Sequence, residues 1–239
     1  MGIWEQLGLD MARHRMVALV GAGGKTSTLY ALARQAADSG RTVVVTTTHI
    51  LRHPGLPLVE EPTPERLRAA LEGHGVVTVG TVFRGDKLSG AGTPEELRRA
   101  ADVVLVEADG AKRLPLKAPA EYEPVIPPCA DAVAAVAGMD AVGQAVGAVC
   151  HRPERVCALL GAGAEHVLTP EDVALLLANP QGGRKGVGEA MAFRCVLNKA
   201  DTPERAAHAS AVAGRLAERG IHSAITYYRE EERGGLCWF

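Results

Sequence analysis

A glycine-rich loop lies between a short apolar run and a helical pattern, and its residue types suggest phosphate chemistry. The loop follows MVALV and opens a helix, and it consists of Gly21, Ala22, Gly23, Gly24, Lys25, Thr26 and Ser27. Glycines let backbone N–H groups converge on an anion, and the positive end of the helix dipole points the same way. We expect Lys25 to reach the β- and γ-phosphates of a nucleotide and Thr26 to bind Mg²⁺.

This loop departs from the strict phosphate-loop pattern GxxxxGK[ST], because Leu19 stands where the first glycine is expected. The competing interpretation is a dinucleotide fingerprint, GxGxxG, with an acid after the second strand. That fingerprint needs a glycine at position 26, which is Thr, and this chain has Thr46–His49 where the acid is expected. The pattern therefore favours a phosphate loop of the variant kind.

An acidic motif ends a second apolar run, in the sequence DVVLVEADG over residues 102–110. A carboxylate at the end of such a strand holds Mg²⁺, or a water bound to it, beside the phosphates. One carboxylate is enough for the metal, and the other could orient water. Glu107 and Asp109 are both candidates for the metal and for catalysis, and the sequence does not choose between them.

The third motif is Asn198-Lys199-Ala200-Asp201, which follows the apolar run CVL. In NKxD the Asp accepts from guanine, the Lys packs along the base and the Asn ties the loop back. The alternative is that Asp201 and Thr202 only cap the next helix. Because the NKAD motif comes third in the chain, after the other two motifs, it favours GTP, and ATP is the alternative.

A basic, proline-rich segment leaves directly from the acidic motif and reads ADGAKRLPLKAPAEYEPVIPP. Proline excludes a helix here. Because the segment starts at the expected magnesium ligands, Lys112, Arg113 and Lys117 are expected at the mouth of the nucleotide site. They would bind a second, anionic substrate or sense the γ-phosphate, and Lys112 is a catalytic candidate. Further candidates for the substrate site are His49, Arg152 and Lys185.

Short apolar runs alternate with helical patterns from about residue 15 onward. Such runs are typical of strands buried on both faces. Strands are expected at 16–20, 42–48, 76–79, 103–106, 132–136, 195–197 and 221–227, and a helix at 25–39. Thr-Pro-Glu predicts four more helix starts, with Thr as N-cap and Pro at the first position. These N-caps are Thr63, Thr93, Thr169 and Thr202.

An alternating chain of this kind predicts an α/β fold with a mainly parallel sheet and helices on both faces. With the phosphate loop, the expected architecture is like that of P-loop NTPases. We expect a single domain over residues 1–239, with a small helical insertion over 138–190.

Composition narrows the partners and the compartment. The chain has 26 basic and 28 acidic residues, so neither nucleic acid nor a membrane surface is an expected partner. It has no apolar run of about 18 residues, and the acids near its N-terminus do not fit a signal peptide. We expect a cytoplasmic protein with free thiols. A metal at Cys150, His151 and Cys157 is the less favoured alternative to buried thiols.

Several motifs in the same order resemble the selenium-dependent molybdenum hydroxylase accessory protein family, often called YqeC. They are VGAGGKTS, VVVTTTHI, VLVEADGAKRLPLKAPAEYEPVIP, HRPE, LTPEDVALLL with a GGxKG loop, and VLNKAD. The resemblance covers residues 15–200. The chain departs from the family pattern at Ser27, at Tyr122 where His is expected, and at Arg184. Tyr122 argues against obligatory histidine chemistry at that position.

The resemblance implies a nucleotide-dependent maturation factor for selenium-dependent molybdenum hydroxylases. Its expected cofactors are Mg²⁺ with GTP or ATP, and its expected activity is that of an NTPase or a phosphoryl or nucleotidyl transferase. The expected partners are a small anionic selenium or molybdopterin species and a molybdenum hydroxylase apoprotein. The alternatives are a GTPase switch similar to the metallochaperone GTPases and a non-enzymatic nucleotide- or pterin-binding module. Mur ligases share GxxGKT and TTT, but they need additional domains for which 239 residues leave no room.

Overall fold

The computed structural model describes residues 2–47, 50–51, 55–84 and 87–228. The helices are α1 Ile3–Gln6, α2 Lys25–Asp38, α3 Pro64–His74, α4 Pro94–Ala100, α5 Val146–Val149, α6 Pro153–Leu160, α7 Pro170–Ala178 and α8 Pro203–Glu218. The strands are β1 Met16–Gly21, β2 Val43–Thr47, β3 Ile50–Leu51, β4 Leu58–Val59, β5 Val76–Val79, β6 Thr81–Arg84, β7 Lys87–Ser89, β8 Val103–Glu107, β9 Leu116–Lys117, β10 Ala132–Gly138, β11 Cys150–His151, β12 Ala192–Asn198 and β13 His222–Ile225. A 3₁₀ turn spans Met139–Ala141.

Eight of these strands form one sheet in the order β13-β12-β10-β1-β8-β2-β5-β4. Every neighbouring pair in this sheet is parallel. All eight strands therefore end at the same edge, where ligands of open α/β sheets bind. The predicted α/β class, with a mainly parallel sheet, is confirmed.

Alternate residues of the central strand β1 point to the two sides of the sheet, and each side is covered by helices. Val17 and Leu19 pack with α1 and α2, whereas Met16, Ala18 and Val20 pack in a larger cluster with α3, α4, α7 and α8. Both faces of a parallel sheet must be covered in this way, since the crossover helices lie on them. This is why the central strands β1 and β10 read as unbroken apolar runs.

The predicted elements agree with the structure to within a few residues. All four Thr-Pro-Glu sites begin helices, and each Thr side chain accepts a hydrogen bond from the backbone N–H three residues later. The capping box of Thr93 with Glu96 is present. A second box joins Thr169 to Asp172.

Two small sheets lie outside the sequence-based predictions. One is antiparallel, in the order β3-β7-β6, and the other pairs β9 with β11 in parallel. Their strands have two to four residues each, too few for a recognisable periodicity. The segment predicted as an insertion, 138–190, contains the 3₁₀ turn and α5–α7 between β10 and β12. Its standing as an insertion within one domain stays a prediction.

No helix in the described part of the chain is both long and apolar enough to span a membrane.

The capping box of α7 gives a prediction for stability. Thr169→Ala removes the acceptor for the Asp172 N–H, so we expect the free energy of unfolding to fall by about 1 kcal/mol. Urea unfolding measures this change. Thr169→Ser keeps the hydroxyl and is the control. Equal urea midpoints for the two variants would contradict the assigned role of the cap.

Candidate functional site

The three sequence motifs meet at the carboxyl edge of the large sheet. The glycine-rich loop follows β1, Glu107 ends β8 and Asn198 ends β12. Strands β8 and β10 lie directly on either side of β1, and β12 lies beyond β10. The topology therefore places all three motifs around the N-terminus of α2.

Two glycines of the loop lie where a side chain has no room. Gly23 has a φ of +77°, and a Cβ there would lie 2.2 Å from the Gly138 nitrogen and 2.6 Å from the Pro115 oxygen. Gly24 has a φ of +127°, and its Cβ would lie 2.0 Å from Nδ2 of Asn198. The loop thus packs backbone to backbone against β10 and the basic segment, which only glycine permits.

The N–H groups of the loop fall into two sets. Those of Gly21, Ala22 and Gly23 donate to Asp109 Oδ2 (3.2 Å), the Val136 oxygen (2.9 Å) and the Leu114 oxygen (3.1 Å). The next N–H groups belong to the first turn of α2, which has no acceptor inside its own helix. The backbone donors available for an anion are therefore those of residues 24–27, and the N–H groups of 21–23 hold the loop in place.

Lys25 and Thr26 both contact the acid at the end of β8. The Lys25 Nζ donates to the Gly21 oxygen at 2.7 Å and lies 3.6 Å from Oε1 of Glu107. The Thr26 hydroxyl donates to Oε2 of Glu107 at 2.9 Å. Glu107 is therefore the carboxylate that meets the hydroxyl predicted to bind magnesium.

Asp109 has different partners from Glu107. Its Oδ1 lies 3.3 Å from the Lys25 Nζ, and its Oδ2 lies 2.8 Å from the Nζ of Lys117. Oδ2 also accepts the Gly21 N–H. Asp109 is only 3% exposed. It thus joins the phosphate loop to the basic segment.

Lys117 continues a buried chain of alternating charges away from the loop. Its Nζ donates to the Gly110 oxygen at 2.7 Å and to Glu123 at 2.8 Å. Glu123 in turn accepts from Arg152 at 2.8 Å, and Arg152 lies over the ring of Tyr122. Together with Lys25, Glu107 and Asp109, this chain of charges contains three cations and three carboxylates, so the formal charge of these six side chains is zero.

Burial and the neighbouring charges shift the pKa values of two acids in this chain. Burial raises the pKa of Glu107, and the charge of Asp109 adds to this, against the lowering effects of Lys25 and Thr26. Burial also acts to raise the pKa of Glu123, but hydrogen bonds and charge from Lys117, with help from Arg152, lower it overall. Glu107 is thus the acid whose charge a bound cation would stabilise most directly.

Asn198 of the third motif ties the loop to the sheet. Its Nδ2 donates to the Gly23 oxygen at 2.8 Å, and its Oδ1 accepts from the Thr226 hydroxyl. Lys199 pairs with Asp140 at 2.6 Å. Asp201 pairs with Arg205 at 2.7 Å, next to the N-cap of α8. The guanine-reading role of Lys199 and Asp201 stays a prediction.

The other site residues predicted from the sequence are Lys112, Arg113, Lys185 and His49. Lys112 and Arg113 are exposed on a turn beside the loop. Lys185 donates to the backbone oxygens of Ala120 and Glu121. It therefore braces the basic segment from the GGRKG loop. His49 lies outside the described residues.

The cysteines do not form a metal site in the described part of the chain. No group of three or more His, Cys, Asp or Glu residues is arranged there to hold a metal ion. Burial raises the pKa of Cys150 to about 12, with a further contribution from Cys157. This supports a buried thiol at Cys150, since a thiolate is the form that binds metals, whereas Cys157 is half-buried.

The residues at the loop fit a nucleotide with magnesium. A hydroxyl and a carboxylate oxygen, Thr26 Oγ1 and Glu107 Oε2, already lie 2.9 Å apart. Mg²⁺ prefers oxygen ligands and usually takes only one or two carboxylates together with phosphates and water. Among the described residues, Oδ1 of Asp109 is buried without a hydrogen bond, although it lies 3.3 Å from the Lys25 Nζ. The site thus has spare acceptor capacity next to the lysine.

Sequence reasoning missed Glu123 and the backbone of Leu114 and Pro115 as parts of the site. Glu123 is the acceptor shared by Lys117 and Arg152. The available indication was the motif AEYEP itself, in which a glutamate lies among prolines six residues after a lysine. The backbone contacts left no trace in residue type, apart from the glycines that permit them.

Comparisons with known proteins show which family the chain is similar to. The family described as YqeC protein matches residues 17–154. The uncharacterized protein YqeC of Escherichia coli (strain K12) is 32% identical over 224 residues. That alignment covers 88% of this chain and 86% of the relative. The matched region contains the phosphate loop, the acidic motif and the basic segment.

A prediction follows from the close packing of Gly23. Gly23→Ala should lower the free energy of unfolding well beyond the about 1–2 kcal/mol that a left-handed side chain alone costs, since its Cβ meets backbone atoms. Gly40→Ala is the matched control, because Gly40 has a φ of +79° and no atom within 4 Å of its Cβ position. Urea unfolding compares the two variants. Equal losses would show that packing at Gly23 is not limiting.

A second prediction concerns the buried charges. Lys117→Met leaves Asp109 and Glu123 without their shared cation, and we expect a loss of about 3–5 kcal/mol in unfolding free energy. Arg155→Met breaks an exposed pair with Glu121 in the same segment and should cost about 0–1 kcal/mol. Chemical denaturation measures both. Similar losses for the two variants would contradict the buried charge chain as a stability requirement.

Proposed function

The chain belongs to the YqeC protein family, and on that premise we propose that it is a nucleotide-binding maturation factor for selenium-dependent molybdenum hydroxylases. It would bind GTP or ATP with Mg²⁺ at the loop over residues 21–27. The nucleotide would be hydrolysed, or used to activate a selenium or molybdopterin species. We place this reaction in the cytoplasm and propose no role for nucleic acid or a membrane.

One observation carries the nucleotide part of this proposal. The Thr26 hydroxyl contacts Glu107 at 2.9 Å, beside a buried Lys25, at the carboxyl edge of a parallel sheet. A helix N-terminus, a lysine and a hydroxyl–carboxylate pair are the parts that phosphoryl transfer requires. Their convergence supports nucleotide binding more strongly than the loop sequence does by itself.

The two acids of the DVVLVEADG motif take separate roles in this proposal. Glu107, with Thr26, would hold the magnesium ion, because it alone of the two contacts the hydroxyl. Asp109 is engaged by the Gly21 N–H and by two lysines. It is therefore assigned a positioning role, which keeps Lys25 and the loop in place.

The chain's own groups would act on the nucleotide by binding and orientation. The N–H groups of residues 24–27 and the Lys25 ammonium would hold the β- and γ-phosphates. When bound, magnesium supplies positive charge to the oxygens that become negative during transfer. In hydrolysis, water forms a bond to the γ-phosphorus, the bond to the leaving diphosphate breaks, and the water proton passes to solvent.

Two alternative functions each have a specific observation in their favour. A GTPase switch that acts on a partner protein, with the molybdenum hydroxylase apoprotein as the expected partner, is favoured by Asn198. This residue joins the NKAD motif to the phosphate loop through the Gly23 oxygen. A non-enzymatic nucleotide- or pterin-binding module is favoured by Lys25, whose ammonium contacts two carboxylates. A switch would turn over slowly alone and faster with its partner, and a module would bind without turnover.

Two substitutions test the proposed site. We expect Lys25→Ala to lower nucleotide hydrolysis at least about 100-fold, because it removes a charge that stabilises the transferred phosphate. Glu107→Gln keeps the size of the side chain but removes its charge, so the magnesium concentration for half-maximal activity should rise at least about tenfold. Hydrolysis and affinity are measured with GTP and with ATP, with and without a selenium or molybdopterin acceptor.

Glu121→Gln is the control for both substitutions, because it removes an exposed carboxylate of the same region. It should leave affinity and turnover unchanged. Wild-type affinity and turnover in Lys25→Ala would contradict the proposed site. Binding without turnover in the wild-type protein, with every acceptor and partner, would instead support the non-enzymatic module.

A further inference from the structure

The pair Lys112–Arg113 forms the tip of a tight turn with an unusual backbone. The Leu114 N–H donates to the Ala111 oxygen at 3.0 Å, which closes a four-residue turn. Its two central residues have φ values of +49° and +63°. Two positive φ values in a row define a type I′ turn, in which Asn and Gly are the favoured residues.

Residues with side chains rarely adopt this conformation, because the Cβ crowds the following carbonyl oxygen. In the described part of the chain, four residues other than glycine have positive φ, and all four are basic: Lys112, Arg113, Arg152 and Lys199. Backbone strain of this kind concentrates at functional sites. A turn that needs only shape would be better served by Asn-Gly, so the two charged side chains require a separate explanation.

The turn is docked on the phosphate loop. The Leu114 oxygen, one residue after Arg113, accepts the Gly23 N–H at 3.1 Å, and the Pro115 oxygen accepts the Gly138 N–H at 2.8 Å. These two hydrogen bonds fix the backbone at Leu114 and Pro115, directly after the tip, to the loop and to β10. The position of Lys112 and Arg113 relative to the loop is thereby set by hydrogen bonds of the main chain.

Neither cation of the tip is neutralised by another residue that the structure describes. Lys117 and Arg152 pair with Glu123, but Lys112 and Arg113 have no ion pair or side-chain hydrogen bond in the described part of the chain. The neighbourhood is also positive. Burial lowers the pKa of His151, and the charges of Arg152, Lys117 and Lys112 lower it further, against the opposing charge of Glu123. An anion placed here would meet two unpaired cations.

We propose that Lys112 and Arg113 form a subsite for a tetrahedral oxyanion next to the phosphate loop. The oxyanion is either the terminal phosphate of the nucleotide or the anionic group of the second substrate. Lys117 and Arg152 are not ligands of this subsite and instead position the segment that carries it. The inference rests on the proposed nucleotide site and identifies the groups that meet the reacting anion.

The double variant Lys112→Asn with Arg113→Gly separates the charge from the turn. It removes both cations and installs the residues that a type I′ turn favours. A rise in Tm of about 2–8 °C is expected as the strain is relieved. Affinity for Mg²⁺ with GDP or ADP should stay within about twofold of wild type, because the groups that bind the diphosphate are unchanged.

Two binding arms identify the source of the anion. The first compares the diphosphate with a non-hydrolysable triphosphate, and the second titrates inorganic phosphate onto the protein, with and without Mg²⁺ and the diphosphate. A loss of at least about tenfold in the extra affinity for the triphosphate assigns the subsite to the terminal phosphate. A loss of that size in phosphate affinity, with the triphosphate unaffected, assigns it to the second substrate.

The matched control is Arg34→Ala with Arg66→Ala, which also removes two exposed positive charges, from α2 and α3. This control should change neither the extra affinity for the triphosphate nor the affinity for inorganic phosphate. The subsite is overturned if both arms are unchanged in the Lys112/Arg113 variant, or if its diphosphate affinity falls as much as the triphosphate affinity. The proposed function is judged separately, by whether the wild-type protein binds the diphosphate at all. The phosphate titration without nucleotide tests the subsite in either case.

Discussion

A buried chain of alternating charges holds the candidate site together. It runs from Glu107 through Lys25, Asp109 and Lys117 to Glu123 and Arg152. Each inner member has a partner of opposite charge on both sides. Because an unpaired charge in such a place is very costly, the loop, the acidic strand end and the basic segment cannot take up independent positions.

This constraint has a consequence for the proposed function. Lys25 contacts both acids, and in the proposed function a nucleotide phosphate would compete with them for its ammonium group. Any movement of Lys25 changes the surroundings of Asp109, and through Lys117 it reaches the basic segment. In the proposed function, these ion pairs would connect the nucleotide site with the subsite for a second anion.

The main-chain packing around the loop also holds the candidate site together. Gly23 and Gly24 touch Gly138, Pro115 and Asn198, which belong to three separate parts of the chain. The bond from Asn198 to Gly23 spans 175 residues. A loop held from several sides is preorganised, and preorganised donors are the ones that stabilise developing charge effectively.

Most of the architecture was predictable from local patterns. Short apolar or β-branched runs predicted seven of the eight strands of the large sheet, all but the two-residue β4, and Thr-Pro-Glu predicted four helix starts. These elements follow from burial and from the backbone groups of a helix end, both of which act within a few residues. The small sheets were not predictable, because strands such as Leu116–Lys117 are too short to show a period.

The amino-acid sequence by itself predicted that the glycine-rich loop, an acidic strand end and an NKAD motif lie at one edge of a parallel sheet. Parallel strands share that edge, so motifs that follow them must meet. Only the tertiary structure decided which acid contacts Thr26, which lysines are buried in ion pairs and which cations have no ion pair among the described residues. Those properties depend on the neighbours that folding brings from distant segments, and burial turns small differences in position into large differences in electrostatic energy.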